Sequence, residues 1–168
     1  MGDFRKSVNG LQIGIGVLAL CLGGIVYLVS RPPEKTYFVY ASKLRISLYQ
    51  KVPDVFGVLG NSLPDFLHVF SFIMITAGLV SKRKIECMVI SLSWFLVEVA
   101  FEVFQKFKEF PLKIIPEWFI NKPVLENVRP FFMKGTFDFI DLVAVALGTV
   151  AAYFVSTRTM KERVKEEK

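Results

Sequence analysis

The sequence is poor in the residues that build zinc sites, with two cysteines and one histidine among 168 residues. Cys21 and Cys87 lie in separate apolar stretches, each without a neighbouring cysteine or histidine cluster. That spacing does not suggest a zinc site and leaves both thiols expected as small buried apolar groups. Charge is also missing from long stretches. Between Leu11 and Val29 the chain carries no charged residue, and Gln12 is its one strongly polar side chain. A run of that length can cross a bilayer core. No small-x-small cleavage site follows it; Ser30-Arg31-Pro32-Pro33-Glu34 does instead. Leu20 before Cys21 likewise lacks the small side chain of a lipoprotein cleavage box. The run is therefore expected to be a retained helix and not a cleaved leader.

What is abundant agrees with those absences. Hydrophobic residues make up 53% of the chain, 17 residues are Phe, and the mean hydropathy is +0.47. The surplus lies in long runs, which implies a membrane protein and not a soluble globule with a large core. The expected fold is all-α: a single four-transmembrane-helix bundle with helices near 11–29, 64–80, 85–105 and 136–156, and a charged cytoplasmic tail over 157–168. A net charge of +6 would point to nucleic acid in a soluble chain. Here the basic residues flank the apolar runs, so the expected partner is the lipid bilayer and no nucleic acid. Arg5, Lys6, the Lys82-Arg83-Lys84 turn and the tail are dense in Lys and Arg, whereas the two long loops are diluted. Both termini are thus expected on the cytoplasmic side, with both loops outward.

Each loop carries aromatics suited to the membrane interface. The first has Tyr37, Phe38, Tyr40, Tyr49 and Phe56, and Leu44, Leu48 and Val52 recur at helical spacing. In the second, Trp118, Phe119, Phe131 and Phe132 stand among prolines and charges. Ser62 is the expected N-cap of the second helix, with Pro64 in the first turn and Asp65 completing a Ser-x-x-Asp box. Ala19 with Gly23, and Ala144 with Gly148 and Ala152, form small-residue stripes that let a neighbouring helix approach.

Acidic groups then collect at three helix ends. Asp65 and His68 open the second helix; Glu98, Glu102 and Gln105 share one face at the close of the third; Asp138 and Asp141 open the fourth. Alternating helix direction places all three sets at one face of the membrane, which the charge distribution makes the outer one. Asp65 and Asp138 in first turns have an ordinary explanation as helix-start acids, and Glu86 is likewise unremarkable beside Lys84. Glu98 and Glu102 do not, because the helix dipole opposes them and an acid in hydrocarbon costs about 2.5–3.5 kcal/mol on insertion scales. Asp141 is expected one turn inside its helix, on the small-residue stripe and facing Glu102. His68 is expected to meet Glu102 and Asp141. Ser71 near His68 does not make a nucleophilic triad, since one helix cannot place all three partners around the imidazole.

This set of residues resembles the VanZ-like family of small polytopic bacterial membrane proteins. The residues that carry the resemblance are Asp65 and His68, Glu102-x-x-Gln105, and Asp138-x-x-Asp141 with Gly148, over about residues 63–148. The resemblance implies a cell-envelope setting and no defined reaction.

Three functions compete. The first is binding of an envelope lipid or glycan headgroup, or of a divalent cation. Asp65, His68, Glu102 and Asp141 are the candidate metal ligands, and hard oxygen donors with one histidine suit Mg²⁺, Mn²⁺ or Ca²⁺. The second is a metal-assisted or acid–base enzyme acting on an envelope lipid, in which neighbouring carboxylates divide the acid and base roles. Ion-coupled transport ranks last, because one four-helix protomer offers little room for a path.

Overall fold

The structure is a computed structural model that describes residues 8–33, 46–122 and 125–166. Among them all regular structure is helical: α1 (Gly10–Ser30), α2 (Leu59–Val80), α3 (Lys84–Lys106), α4 (Glu109–Ile114), α5 (Val128–Lys134) and α6 (Phe139–Glu166). Two 3₁₀ turns, Glu117–Asn121 and Leu125–Asn127, join α4 to α5. Four helices are long and apolar enough to cross a membrane: α1, α2, α3 and the Phe139–Met160 part of α6. Leu18, Leu96, Phe139 and Ile140 are each more than 60% exposed on their outer faces. Apolar surface on that scale is stable in lipid and not in water. The protein is a multi-pass membrane protein.

Contacts fix the helix directions. The Asn9 amide at the start of α1 donates to the Gly78 carbonyl near the end of α2 (2.7 Å). Trp94 on α3 donates to Thr76 on α2 (3.0 Å), and His68 on α2 meets Glu98 on α3. α2 is therefore antiparallel to both. α6 runs parallel to α2: Gly148 lies so close that a Cβ there would stand 2.6 Å from the Phe66 carbonyl oxygen. Of the expected stripe, Gly148 and Ala152 are buried and Ala144 half-buried. Val69, Ile73 and Met74 of α2 and Val145 and Ala152 of α6 form the core. On α1, Gly23 faces Leu67 at ordinary contact distance and Ala19 is half-buried.

Two helix boundaries differ from expectation, each for a physical reason. α2 begins at Leu59, so Ser62 is not its N-cap and Pro64 lies inside the helix. The launching turn is built on Asp54, whose carboxylate accepts the Phe56 and Gly57 amides (3.0 and 3.2 Å) and the Ser30 hydroxyl (2.8 Å). Gly60 then passes so near Ser30 that a Cβ would lie 2.6 Å from its Oγ. This tertiary contact extends α2 one turn past the local capping signal. α6 begins at Phe139 and not at Thr136, because Asp138 is its cap and accepts the Ile140 amide (2.9 Å). At its other end α6 continues through the expected tail to Glu166.

The second loop is short helices folded back on α3. Phe132 of α5 is buried, stacked on Phe101 (5.7 Å between centroids) and edge-on to Phe104 (5.9 Å). In the first loop, residues 46–58 contain turns and no helix, so Leu48 and Val52 do not lie on an interfacial helix there. Tyr37, Phe38, Tyr40 and Leu44 lie outside the described residues, as do Arg5 and Lys6. Cys87 is buried with its Sγ 3.4 Å from the Ser81 Oγ, as expected of a core thiol. Cys21 is exposed on the outer face of α1, contrary to expectation, because the inward face of that turn belongs to Gly23.

Candidate functional site

The expected helix ends meet at one end of the bundle. Asp65 lies within electrostatic range of Asp141, Arg31, Glu102 and Glu98. Glu102 has Asp141, Glu98 and Asp138 in the same range, and the Asp138 backbone amide is directed at its carboxylate. Carboxylates from α2, α3 and α6 therefore share one polar seam.

Several placements within the seam correct the sequence reading. Asp65 is not a helix-start acid: α2 has no acidic residue in its first turn, and Asp65 lies a turn deeper. It gains nothing from the dipole, and its charge is answered instead by Arg31, whose guanidinium nitrogen stands 4.0 Å away. Asp141, conversely, lies in the first turn of α6, since that helix starts three residues later than expected. The positive helix end thus reaches Asp141 as well as its cap Asp138. His68 is half-exposed and its Nδ1 pairs with Glu98 Oε1 at 3.2 Å, not with Glu102 or Asp141. The imidazole also sits edge-on to Phe72 (4.4 Å), which stacks on Trp94. Ser71 is buried, and its hydroxyl is committed to the Leu67 carbonyl of its own helix.

Glu102 is the deepest member, 8% exposed on the inner face of α3. Gln105, one turn on, rests over Gly135: a Cβ there would lie 2.6 Å from Gln105 Oε1. A side chain at this position would have to push the Gln105 amide aside, and the chain's passage here brings Asp138 to the Glu102 carboxylate. The aromatic packing of α5 on Phe101 and Phe104 holds the same stretch from the other side.

Sequence reasoning missed the contribution of α1. Tyr27 lies within electrostatic range of Asp65, Arg31, Asp141 and Glu98. The Arg31 guanidinium stands over its ring, 4.5 Å from the centroid, and donates to the Asn61 carbonyl. A signal was available: Arg31 directly follows the first apolar run, at the end that alternation assigns to the acidic groups.

Chemically the seam has more acceptors than donors. Asp65 Oδ2, Glu102 Oε2 and Asp141 Oδ1 are buried, and none has a hydrogen-bond partner among the described residues. Such groups are costly unless a donor reaches them. The side chains do not form a metal-ligand set: among the described residues no three of His, Cys, Asp and Glu come together so as to hold an ion. With His68 turned to Glu98, the four expected ligands are not assembled. No family model, curated protein or solved structure matches this chain.

Proposed function

We propose that the protein is a VanZ-like integral membrane protein of the cell envelope whose acidic end binds the headgroup of an envelope lipid or glycan. In this reading both termini are cytoplasmic and the seam faces outward. The observation that carries it is the trio of buried carboxylate oxygens on three helices that accept no hydrogen bond among the described residues. A headgroup bearing an ammonium or several hydroxyls supplies the missing donors, and the negative seam favours the cationic type. The rim provides the way in, since His68 and Asp138 are exposed while Glu102 is deep. A divalent cation suits the side-chain arrangement less well.

The test is calorimetric titration of the purified protein with ethanolamine-bearing and hydroxyl-rich lipid headgroups, and separately with Mg²⁺, Mn²⁺ and Ca²⁺. Heat of binding for an amine or polyol headgroup, lost in Glu102→Gln and Asp141→Asn, is the expected result. Unchanged affinity in both variants would remove the reading.

One observation favours a second reading as an acid–base enzyme. The His68–Glu98 pair joins a half-exposed imidazole to a carboxylate that can orient it, as proton transfer requires. Comparison of lipid extracts from wild-type and His68→Asn cells decides this one. A lipid species that accumulates only in the variant supports turnover, and identical extracts leave binding alone.

A further inference from the structure

A second polar feature lies at the membrane boundary, just past the acidic seam, and carries the opposite charge. α3 ends at Lys106, and the chain turns at Phe107 into α4. The turn encloses an open groove of about 550 Å³ lined by Lys106, Phe107, Lys108, Glu109, Phe110 and Lys113. Its lining carries three lysines and one glutamate. Phe107 and Phe110 are each more than half exposed, which gives the groove an apolar wall beside its charges.

The groove is held in shape. Lys108 Nζ donates to the Met133 carbonyl (3.0 Å), fastening the turn to α5. Lys106 Nζ stands over the Phe137 ring, 4.8 Å from the centroid, and 5.9 Å from that of Phe107. Phe110 meets Phe104 of α3 at 5.6 Å. Lys106 closes a helix long and apolar enough to span a membrane, the place where basic and aromatic side chains characteristically meet lipid headgroups.

A comparable groove at the opposite end of the bundle lacks this character. It is lined by Val80, Arg83, Ile85, Glu86, Val89 and Ile90, and its one cation is already paired, Arg83 Nε to Glu86 Oε1 at 2.8 Å. Net positive charge and an exposed aromatic wall occur together in the Lys106–Lys113 groove alone of the two.

We propose that the Lys106–Lys113 groove binds the phosphate of an anionic phospholipid from the surrounding leaflet, with an acyl chain lying along Phe107 and Phe110. The lysines neutralise the phosphate, and the phenylalanines make the site select a lipid over a free anion. The groove does not depend on the headgroup reading of the acidic seam, and uses none of its carboxylates.

The experiment is native mass spectrometry of the full chain released from nanodiscs of phosphatidylcholine containing a minor fraction of phosphatidylglycerol. The wild type is expected to retain phosphatidylglycerol in preference to phosphatidylcholine. The preference should fall about fivefold for each lysine removed in Lys106→Gln and Lys113→Gln, the worth of one basic residue at a membrane surface. Arg83→Gln, at the opposite groove, should leave it unchanged. Equal retention of the two lipids by the wild type overturns the proposal, whatever the variants do. So does an Arg83→Gln effect as large as those of the lysine variants. Displacement of the bound lipid by inorganic phosphate alone overturns the choice of a lipid as the ligand.

Discussion

Both ends of the bundle hold polar groups between helices but treat them differently. At the Asn9 end, Gln12 is 1% exposed, and its amide donates to the Ser156 carbonyl and the Thr159 hydroxyl, both at 2.8 Å. Asn9 caps α1 through its side chain and joins α2 through its amide. This end is a closed lock between α1, α2 and α6, donors matched to acceptors. At the Asp65 end the buried groups are almost all acceptors, and three of their oxygens accept no hydrogen bond among the described residues. The difference separates polarity that specifies a fold from polarity kept at a cost to stability. The first is complete within the protein, whereas in the proposed reading the second is completed by a bound headgroup.

Substitutions at the two ends should therefore shift stability in opposite directions. The largest effect is expected from Gln12→Leu, which removes both donors of the lock. Unfolding of the purified protein in mixed micelles should show a loss of about 1–2 kcal/mol, the upper range for interhelical hydrogen bonds in membranes. At the other end, Glu102→Gln should stabilise the protein by about 1 kcal/mol, because an amide brings N–H donors into a seam of unmet acceptors. The same variant should lose headgroup binding. A destabilised Glu102→Gln protein would erase the contrast, since both ends would then be structural.

The contrast was only partly legible in the sequence. Length and apolarity of four runs marked the spans, because a bilayer leaves few other uses for them. Alternation placed Asp65, Glu102 and Asp141 at one end without any contact being known. Gly148 was readable from its spacing with Ala144 and Ala152. What escaped depended on contacts distant in sequence. The Ser62-x-x-Asp65 pattern looked like a cap, but the Asp54 turn and the approach of Gly60 to Ser30 moved the helix start. The depth of Asp141 was misjudged because Asp138 proved to be the cap. Gln12 registered only as an interruption of an apolar run, and its partners lie at the far end of the chain. Arg31 was counted with the basic residues of the loop, although it stands against Asp65.

Arg31 offers a way to sharpen the comparison, as the one guanidinium contributed to the seam by α1. Arg31→Met should cost about 0.5 kcal/mol of stability, in the range for partly exposed ion pairs. Removing a cation from among carboxylates should also tighten binding of an ammonium-bearing headgroup, by about twofold at that energy scale. Weaker binding in the titration would mean that Arg31 itself contacts the ligand.

The smallest effect concerns Asp54, a carboxylate at the same end that does have its donors. The Ser30 hydroxyl and the Phe56 and Gly57 amides hold its carboxyl below the usual carboxylate range. A group with a depressed folded pKa stabilises the fold above its unfolded value, about 3.9 for aspartate. That contribution is lost as pH falls through the lower folded value. Ser30→Ala removes the largest cause of the depression and keeps the Cβ that packs by Gly60. Thermal midpoints of Ser30→Ala and wild type should therefore differ most above pH about 4 and draw together as Asp54 protonates. An offset independent of pH would mean that Ser30 acts through packing alone. In that case Asp54 would not show what full donor satisfaction contributes at this end, and the comparison with Glu102 would rest on the buried seam by itself.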